Sequence, residues 1–467
     1  MRRHRSIAVV SCGAAVALTC ACAVKQPPPA ADTVKDALPA TTAIPPAWKS
    51  NAGAGGSVVT DWLRTFSDTQ LEALVDESLR NNLDLKAAAT RIAVADALVV
   101  QARSLLYPQL AIAGGVGVVG RDSTKDRSGI VGEVSWEADL WGRVRAEGAS
   151  AAAARQAVDA DLLYARQSVA ATVATLWYST IATERLRQTA EQASTLYEDL
   201  LRLVRAKNDV GQVGQQDVAL AGADLDRARH RERAFATSGQ QIVRGLEVMV
   251  GRYPSAELAL GPDLPPLPGP VPEGLPAELL TRRPDLVAAE RRVVAAFHLI
   301  QAAEALRLPR IALTGVGGRS TSELLRLANV PAGFWSLGVN MLAPLFTGGA
   351  LQAQVRIANA DQQAAVALYG QAALRAFSEV ESSLANEQLL ADQQRYLEDV
   401  LRQDSEAVRL GRLRYDAGAT DLLHVLQMQA RQLNTQFELI GIRNDRLANR
   451  VALHLALGGG FTPAPAP

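Results

Sequence analysis

The chain has 467 residues, 48% of them hydrophobic, and its 48 basic residues balance 48 acidic ones. That length allows roughly two to three ordinary domains or one long architecture of repeats. A balanced charge argues against a nucleic-acid partner, which selects a basic stripe, and the hydrophobic content argues against general disorder.

Arg2, Arg3 and Arg5 precede an apolar run from Ile7 to Leu18 and then Thr19-Cys20-Ala21-Cys22. A positive start, an apolar middle and small residues before a break predict a secretory signal over residues 1–21. The small residues around cysteine resemble a bacterial lipobox, with Cys22 the expected site of acylation and Cys20 its rival; cleavage without a lipid is the alternative. Cleavage leaves 45 basic against 48 acidic residues and one cysteine. No internal disulfide is then possible, so packing or assembly must hold the fold. One acyl chain anchors only weakly. Residues 22–57, rich in Pro, Ala and Gly, predict a tether.

A shift of 201 residues aligns Asp84–Gly114 with Asp285–Gly315 without a gap, and 12 of the 31 pairs are identical, including Pro108 with Pro309 and Gly114 with Gly315. The chain is therefore read as a duplication, with copies over residues 58–260 and 277–460. Each copy begins with a helix of about 20 residues that ends at its proline. Two strands follow, near 108–118 and 129–140 in the first copy and near 309–318 and 334–343 in the second. In the second strand Ile130, Val134, Trp136, Ala138 and Leu140 alternate with Glu133, Ser135, Glu137 and Asp139; Trp335, Leu337, Val339 and Met341 do the same against Ser336, Gly338 and Asn340. A period of two with this contrast puts one face against an oily medium and the other against water.

No run reaches the ~18–20 apolar residues of a spanning helix, whereas strands of about ten residues suffice when tilted. Four strands cannot close a barrel, and an open edge in lipid is costly, so several chains must share one. Two chains give eight strands and three give twelve; a barrel of eight is largely filled by side chains, so an open pore lined by Glu133, Glu137 and Asp139 favours twelve. A soluble sheet packed on a core is the competing reading.

Long helical hairpins complete each copy, over 144–250 and 350–457. Val144 to about Ala206 runs without proline, on the order of 90–100 Å of helix, and reverses near Gly211; Ala350 to about Tyr415 reverses near Gly418. Between the copies, residues 261–276 hold seven of the 22 prolines and predict an extended linker. Residues 461–467 form a short tail.

Chemistry is sparse. His4, His230, His298, His424 and His454 show no metal spacing. The stretch from Thr314 to Ser320 lacks the third glycine and the βαβ unit of a dinucleotide loop, and Arg121-Asp122 stands where a phosphate loop needs Lys and a hydroxyl. No cofactor and no metal are expected, nor an enzyme activity.

The stretch Leu275-Pro276-Ala277-Glu278-Leu279-Leu280-Thr281-Arg282-Arg283-Pro284-Asp285-Leu286 resembles outer-membrane efflux lipoproteins of the TolC-like (NodT/OprM) family. So do the stretches from Leu308 to Gly315, from Ser135 to Arg145 and from Ala456 to Gly460, and the likeness covers the whole mature chain. The resemblance implies a mainly α fold with transmembrane β structure: a homotrimer with a shared twelve-stranded barrel continuing into a periplasmic helical barrel. It further implies a passive exit duct of a tripartite small-molecule exporter in the outer membrane, working with a periplasmic adaptor and an inner-membrane RND-type pump. By the same resemblance, the gate at the periplasmic tip maps to Asp209, Arg414, Tyr415, Asp416, Leu423 and Gln427. A helical-hairpin adaptor lipoprotein and a duct for protein secretion are the alternatives.

Overall fold

The computed structural model describes residues 24–50, 56, 58, 61–120, 124–261, 263–321 and 333–460. The expected signal, the lipidation candidates Cys20 and Cys22, and the tail lie outside them. Nine helices and four strands follow one another among the described residues: α1 (Ala30–Ala37), α2 (Thr69–Asn81), α3 (Leu83–Ser104), β1 (Gln109–Gly120), β2 (Thr124–Ala138), α4 (Arg143–Asp209), α5 (Gln215–Val250), α6 (Leu279–Arg282), α7 (Pro284–Ala305), β3 (Arg310–Thr321), β4 (Gly333–Leu342), α8 (Ala350–Asp416) and α9 (Leu422–Ala456). Turns of 3₁₀ helix occupy Trp62–Phe66 and Pro276–Glu278.

The duplication is written into these bounds. A shift of 201 residues lays α3 on α7 and β1 on β3, end on end. After the second strand the shift becomes 207, which carries Arg143 onto Ala350 and Asp209 onto Asp416, so α4 and α8 are both 67 residues long. Prolines explain the shared starts and stops. Pro284 opens α7 where its missing N–H is not needed, and α3 and α7 each stop a few residues short of Pro108 and Pro309.

Two compact units emerge. One comprises Met1–Thr42, Ala89–Asp161 and Asp285–Ala372 and holds the sheet, whose order is β1-β2-β3-β4 with every pair antiparallel. Its register sets the two faces. Leu110, Val134, Gly315 and Leu337 form one row, and Trp136, Leu313 and Val339 another on the same side. Ala111, Glu133, Val316 and Ser336 lie on the opposite face, as do Glu137, Ala312 and Asn340. The apolar face is bare in the single chain: Ile112, Trp335 and Leu337 are each more than 75% exposed. Among the described residues no helix is long and apolar enough to cross a membrane.

The other unit comprises Ala43–Ala88, Leu162–Pro284 and Ala373–Pro467. Its core gathers Trp62, Phe66, Leu71 and Val75 around Val173, Trp177, Tyr178, Leu246 and Val451. The Trp177 indole donates to Asp68 Oδ2 at 2.8 Å, while Asp68 Oδ1 caps α2 by accepting from the Leu71 N–H. Burial and the Asp68 charge push the Tyr178 hydroxyl well above the usual phenol range.

Two segments differ from a simple tether and linker. Residues 22–57 contain α1, whose Val34 is buried together with the following Leu38. A Cβ at Gly370 would collide with the Ala37 carbonyl oxygen, so the backbones meet where only glycine fits. Farther on, Glu381 accepts from the Lys49 and Ser50 N–H groups at 2.9 and 2.8 Å. The described residues between 261 and 275 form no helix, as their prolines require, but they are pinned: the buried Arg450 donates to the carbonyls of Pro268 and Gly269 and pairs with Glu387 at 2.6 Å. Unsatisfied linker carbonyls need a donor, and a guanidinium supplies several.

Candidate functional site

Two places hold the residues singled out in the sequence, the sheet with its exits into helix and the hairpin turns. At the sheet, Glu133 is exposed on the polar face. Glu137 lies on that face too, but Arg143 grips it bidentately at 3.0–3.1 Å while reaching Glu147 at 2.8 Å. Asp139 follows the end of β2, and its carboxylate accepts the backbone N–H groups of Val144 and Arg145 and the Arg145 side chain. The first orphan donors of α4 need such an acceptor. The three acids therefore have three situations: open to solvent, held in an ion pair, and committed as a helix cap. Strand alternation could not separate them, because their partners lie in the following helix.

The hairpin turns share one backbone. Gly211 and Gly418 take φ of 71° and 72°, the left-handed geometry that lets a helix end and the chain return. Asp209, Arg414, Tyr415 and Asp416 are exposed around these turns, and Gln427 is exposed on α9. No ion pair or hydrogen bond joins these side chains to one another among the described residues. Leu423 is half-buried, packed on a cluster of Leu200, Leu201, Val204, Leu225 and Leu426 that holds the ends of the hairpins together.

The feature that sequence reading missed is an ion pair across the two hairpins. Lys207 Nζ donates to Asp421 Oδ2 at 2.7 Å, and Asp421 Oδ1 caps α9 by accepting from the His424 N–H at 3.0 Å. Lys207, then the His424 N–H, holds the Asp421 carboxyl below its usual range. The cap was legible as Asp-Leu-Leu-His before a helix; the lysine, 214 residues away, was not.

The signature stretch also has a physical reading. Arg283 is 2% exposed; it donates to Glu379 Oε2 at 2.6 Å and to the Ala456 carbonyl at 3.2 Å, and lies 5.9 Å from the Tyr164 ring centroid. It anchors the start of α7 to three other helices. His454, stacked on Trp62 with ring centroids 5.5 Å apart, is pushed down to about 3 by burial and then by the Arg450 charge. Among the described residues no group of His, Cys, Asp and Glu could hold a metal ion.

The family model for outer membrane efflux proteins matches residues 74–252 and 275–459. The probable efflux pump outer membrane protein TtgC of Pseudomonas putida is 30% identical over 412 residues, 86% of this chain and 85% of that protein. The solved structure of the outer-membrane channel OprN superposes with a TM-score of 0.81 at 25% identity, covering 92% of this chain and all of that one. The open state of the Neisseria gonorrhoeae MtrE outer membrane channel superposes with a TM-score of 0.80 at 26% identity, over 91% of this chain and 98% of the other.

Proposed function

The chain belongs to the outer membrane efflux protein family, and on that premise we propose that it is the exit duct of a tripartite small-molecule efflux pump, acting as a homotrimer. It is an outer-membrane protein with the fold of the efflux channels. The observation that carries the duct is the sheet: four strands with two open edges, apolar on one face and lined with Glu133, Glu137, Thr314 and Asn340 on the other. Three such sheets make twelve strands, enough for a water-filled lumen. Anions then meet a weakly unfavourable field, chiefly from Glu133, since Arg143 offsets Glu137.

The hairpin turns form the gate at the periplasmic end. Asp209, Arg414, Tyr415, Asp416 and Gln427 are exposed in one chain and meet their counterparts around the trimer axis. Leu423 contributes through the cluster beneath the turns, and the Lys207–Asp421 pair keeps the two hairpins of one chain together. A periplasmic adaptor and an inner-membrane RND-type pump supply docking and energy, and acylation at Cys22 supplies the lipid anchor.

Single-channel conductance of the purified mature protein in a planar bilayer, with native mass measured in parallel, tests this reading. Discrete conductance from a species of three chains, raised by Asp421→Asn, is expected. A monomer that never inserts would overturn the duct, and a conducting trimer indifferent to changes at the turns would remove the gate.

A further inference from the structure

The apolar face of the sheet carries a charge near its far end. The register sets Gly114, Ile130, Arg319 and Gly333 in one row across the four strands, on the side of Leu110, Val134 and Leu337. Arg319 is exposed there. From that row to the end where the helices leave, it is the one charged residue on this face among the described residues. The first copy has Val118 at the equivalent position, so the strand itself does not require a cation.

Height gives this charge a meaning. At the helix end of the sheet the Trp136 indole donates to the Leu106 carbonyl at 2.9 Å and the Trp141 indole to the Pro309 carbonyl at 2.6 Å, an aromatic rim of the kind that marks a bilayer interface. Arg319 stands nine residues beyond Arg310 on β3. That is ~30 Å along the strand and ~23 Å in height at the usual tilt, against an apolar band ~25 Å tall. It therefore reaches the opposite interface, the headgroup level of the outer leaflet, where a guanidinium is tolerated and meets anions. Its surroundings are open. A Cβ on Gly114 would find its nearest neighbour at 4.0 Å and one on Gly333 at 3.4 Å, so crowding does not demand these glycines. Glycine within a strand also marks a surface that another molecule approaches closely.

We propose that Arg319 binds the phosphate of an outer-leaflet lipid, at one site per chain on the outside of the barrel. The outer leaflet of an outer membrane is a glycolipid with phosphates on its sugars, and a guanidinium presents paired N–H donors that fit phosphate oxygens. The flanking glycines let the sugar lie close to the backbone. Trp335, strongly exposed in the next row, offers an indole suited to a boundary that is apolar on one side and wet on the other. Just below Arg319 begins an apolar groove of about 850 Å³, with Gly132, Gly315 and Gly317 leaving its floor bare and Trp335 and Leu337 along one wall. An acyl chain of the same lipid fills it, so one molecule meets both the charge and the groove. The proposal rests on the shared-barrel reading above and adds a ligand to the barrel's outer surface.

Native mass spectrometry of the full-length protein in detergent tests the site, with lipid A as the probe, carrying its phosphates or enzymatically stripped of them. The unsubstituted trimer is expected to bind the phosphorylated form about tenfold more tightly than the stripped form, the margin that a charge-assisted hydrogen bond supplies. Arg319→Gln should abolish that preference, and millimolar inorganic phosphate should not displace the lipid. If Arg319→Gln leaves no trimer, Arg319→Val takes its place, since the first copy carries valine at this position. Equal binding of the two lipid forms by the unsubstituted trimer, or an undiminished preference in the substituted one, overturns the site and leaves the duct standing. Displacement by inorganic phosphate overturns the lipid and assigns the arginine to a free anion. Unsubstituted chains that stay single and never insert overturn duct and site together.

Discussion

The two copies solve one packing problem with different chemistry. Asn82 precedes α3 and Arg283 precedes α7 at equivalent positions, and each donates to a carbonyl at the end of its copy's returning helix: Asn82 Nδ2 to Met249 at 3.0 Å, Arg283 Nη1 to Ala456 at 3.2 Å. Gly251 and Gly458, with φ of 80° and 69°, follow those carbonyls. A Cβ there would meet Asn81 at 2.8 Å in one copy and Arg283 at 3.2 Å in the other. The backbone closure is the same; the first copy makes it with a neutral amide and the second with a buried guanidinium bridging to Glu379. Duplication preserves the geometry that hydrogen bonds demand, while side chains diverge wherever their surroundings differ. An amide satisfied by one carbonyl and one N–H needs no charge, whereas a buried guanidinium brings five donors that must be answered.

The largest expected effect breaks this pair of closures. Arg283→Met should lower unfolding free energy by about 3 kcal/mol, the low end for breaking a buried ion pair, because Glu379 is half exposed and rehydrates. Asn82→Ala should cost about 1–2 kcal/mol, one buried hydrogen bond and a cap. Urea titration of the detergent-solubilised protein measures both; equal losses would mean that the charge adds nothing to the amide's role.

Next comes the N-terminal strap. The equivalent of Gly370 in the first copy is Leu163, which is 56% exposed, so a large side chain is tolerated where no strap passes. Gly370→Ala should displace α1 at a cost of about 1–3 kcal/mol, as overpacking does. Faster proteolysis within residues 24–50 is the readout, and an unchanged cleavage rate counts against the contact.

The acid response should also differ between copies. His454 corresponds to Glu247, which accepts from the backbone N–H groups of Ala256 and Glu257 at 2.8 and 3.0 Å. Because the His454 pKa falls from 6.5 to about 3 on folding, the unfolded chain binds a proton that the native one does not. The stability this residue contributes is complete above pH 6.5 and is lost progressively as pH falls towards 3. His454→Phe should flatten that part of the stability profile, measured as urea midpoint against pH; an unaltered slope would place the titration elsewhere.

The smallest effect lies at the turns. Lys207 pairs with Asp421, but the equivalent of Lys207 is Arg414 and that of Asp421 is Gly214, which offers no carboxylate. Asp421→Asn should change stability by about 0–1 kcal/mol, as for an exposed pair. Gly214→Asp should give Arg414 of a neighbouring copy a partner and reduce conductance. Conductance unchanged by G214D would deny that the turns of adjacent copies meet.

Much of this was legible in the residues. The repeat emerges from a self-alignment anchored by Pro108 and Pro309, the amphipathic strands from alternation around Trp136 and Trp335, and the helix reversals from Gly211 and Gly418. These are local signals: proline removes a donor, glycine accepts left-handed φ, and a period of two separates faces. The site was less legible. Glu133, Glu137 and Asp139 look alike in sequence and fare differently because Arg143 and the start of α4 claim two of them. Leu423 is half-buried against Leu426 and its neighbours, a packing set by residues of another hairpin that no local signal announces.

By itself the sequence determined the repeated order of elements, their lengths and the two-faced sheet, since each follows from backbone chemistry within a few residues. Tertiary structure alone decided which charges are spent inside the chain. Lys207 with Asp421, Arg283 with Glu379 and Arg450 with the linker carbonyls join residues separated by 96 to 214 positions. Coulombic attraction and hydrogen bonding act over ångströms in space, and no periodicity along the chain encodes which distant group the fold will bring within that reach.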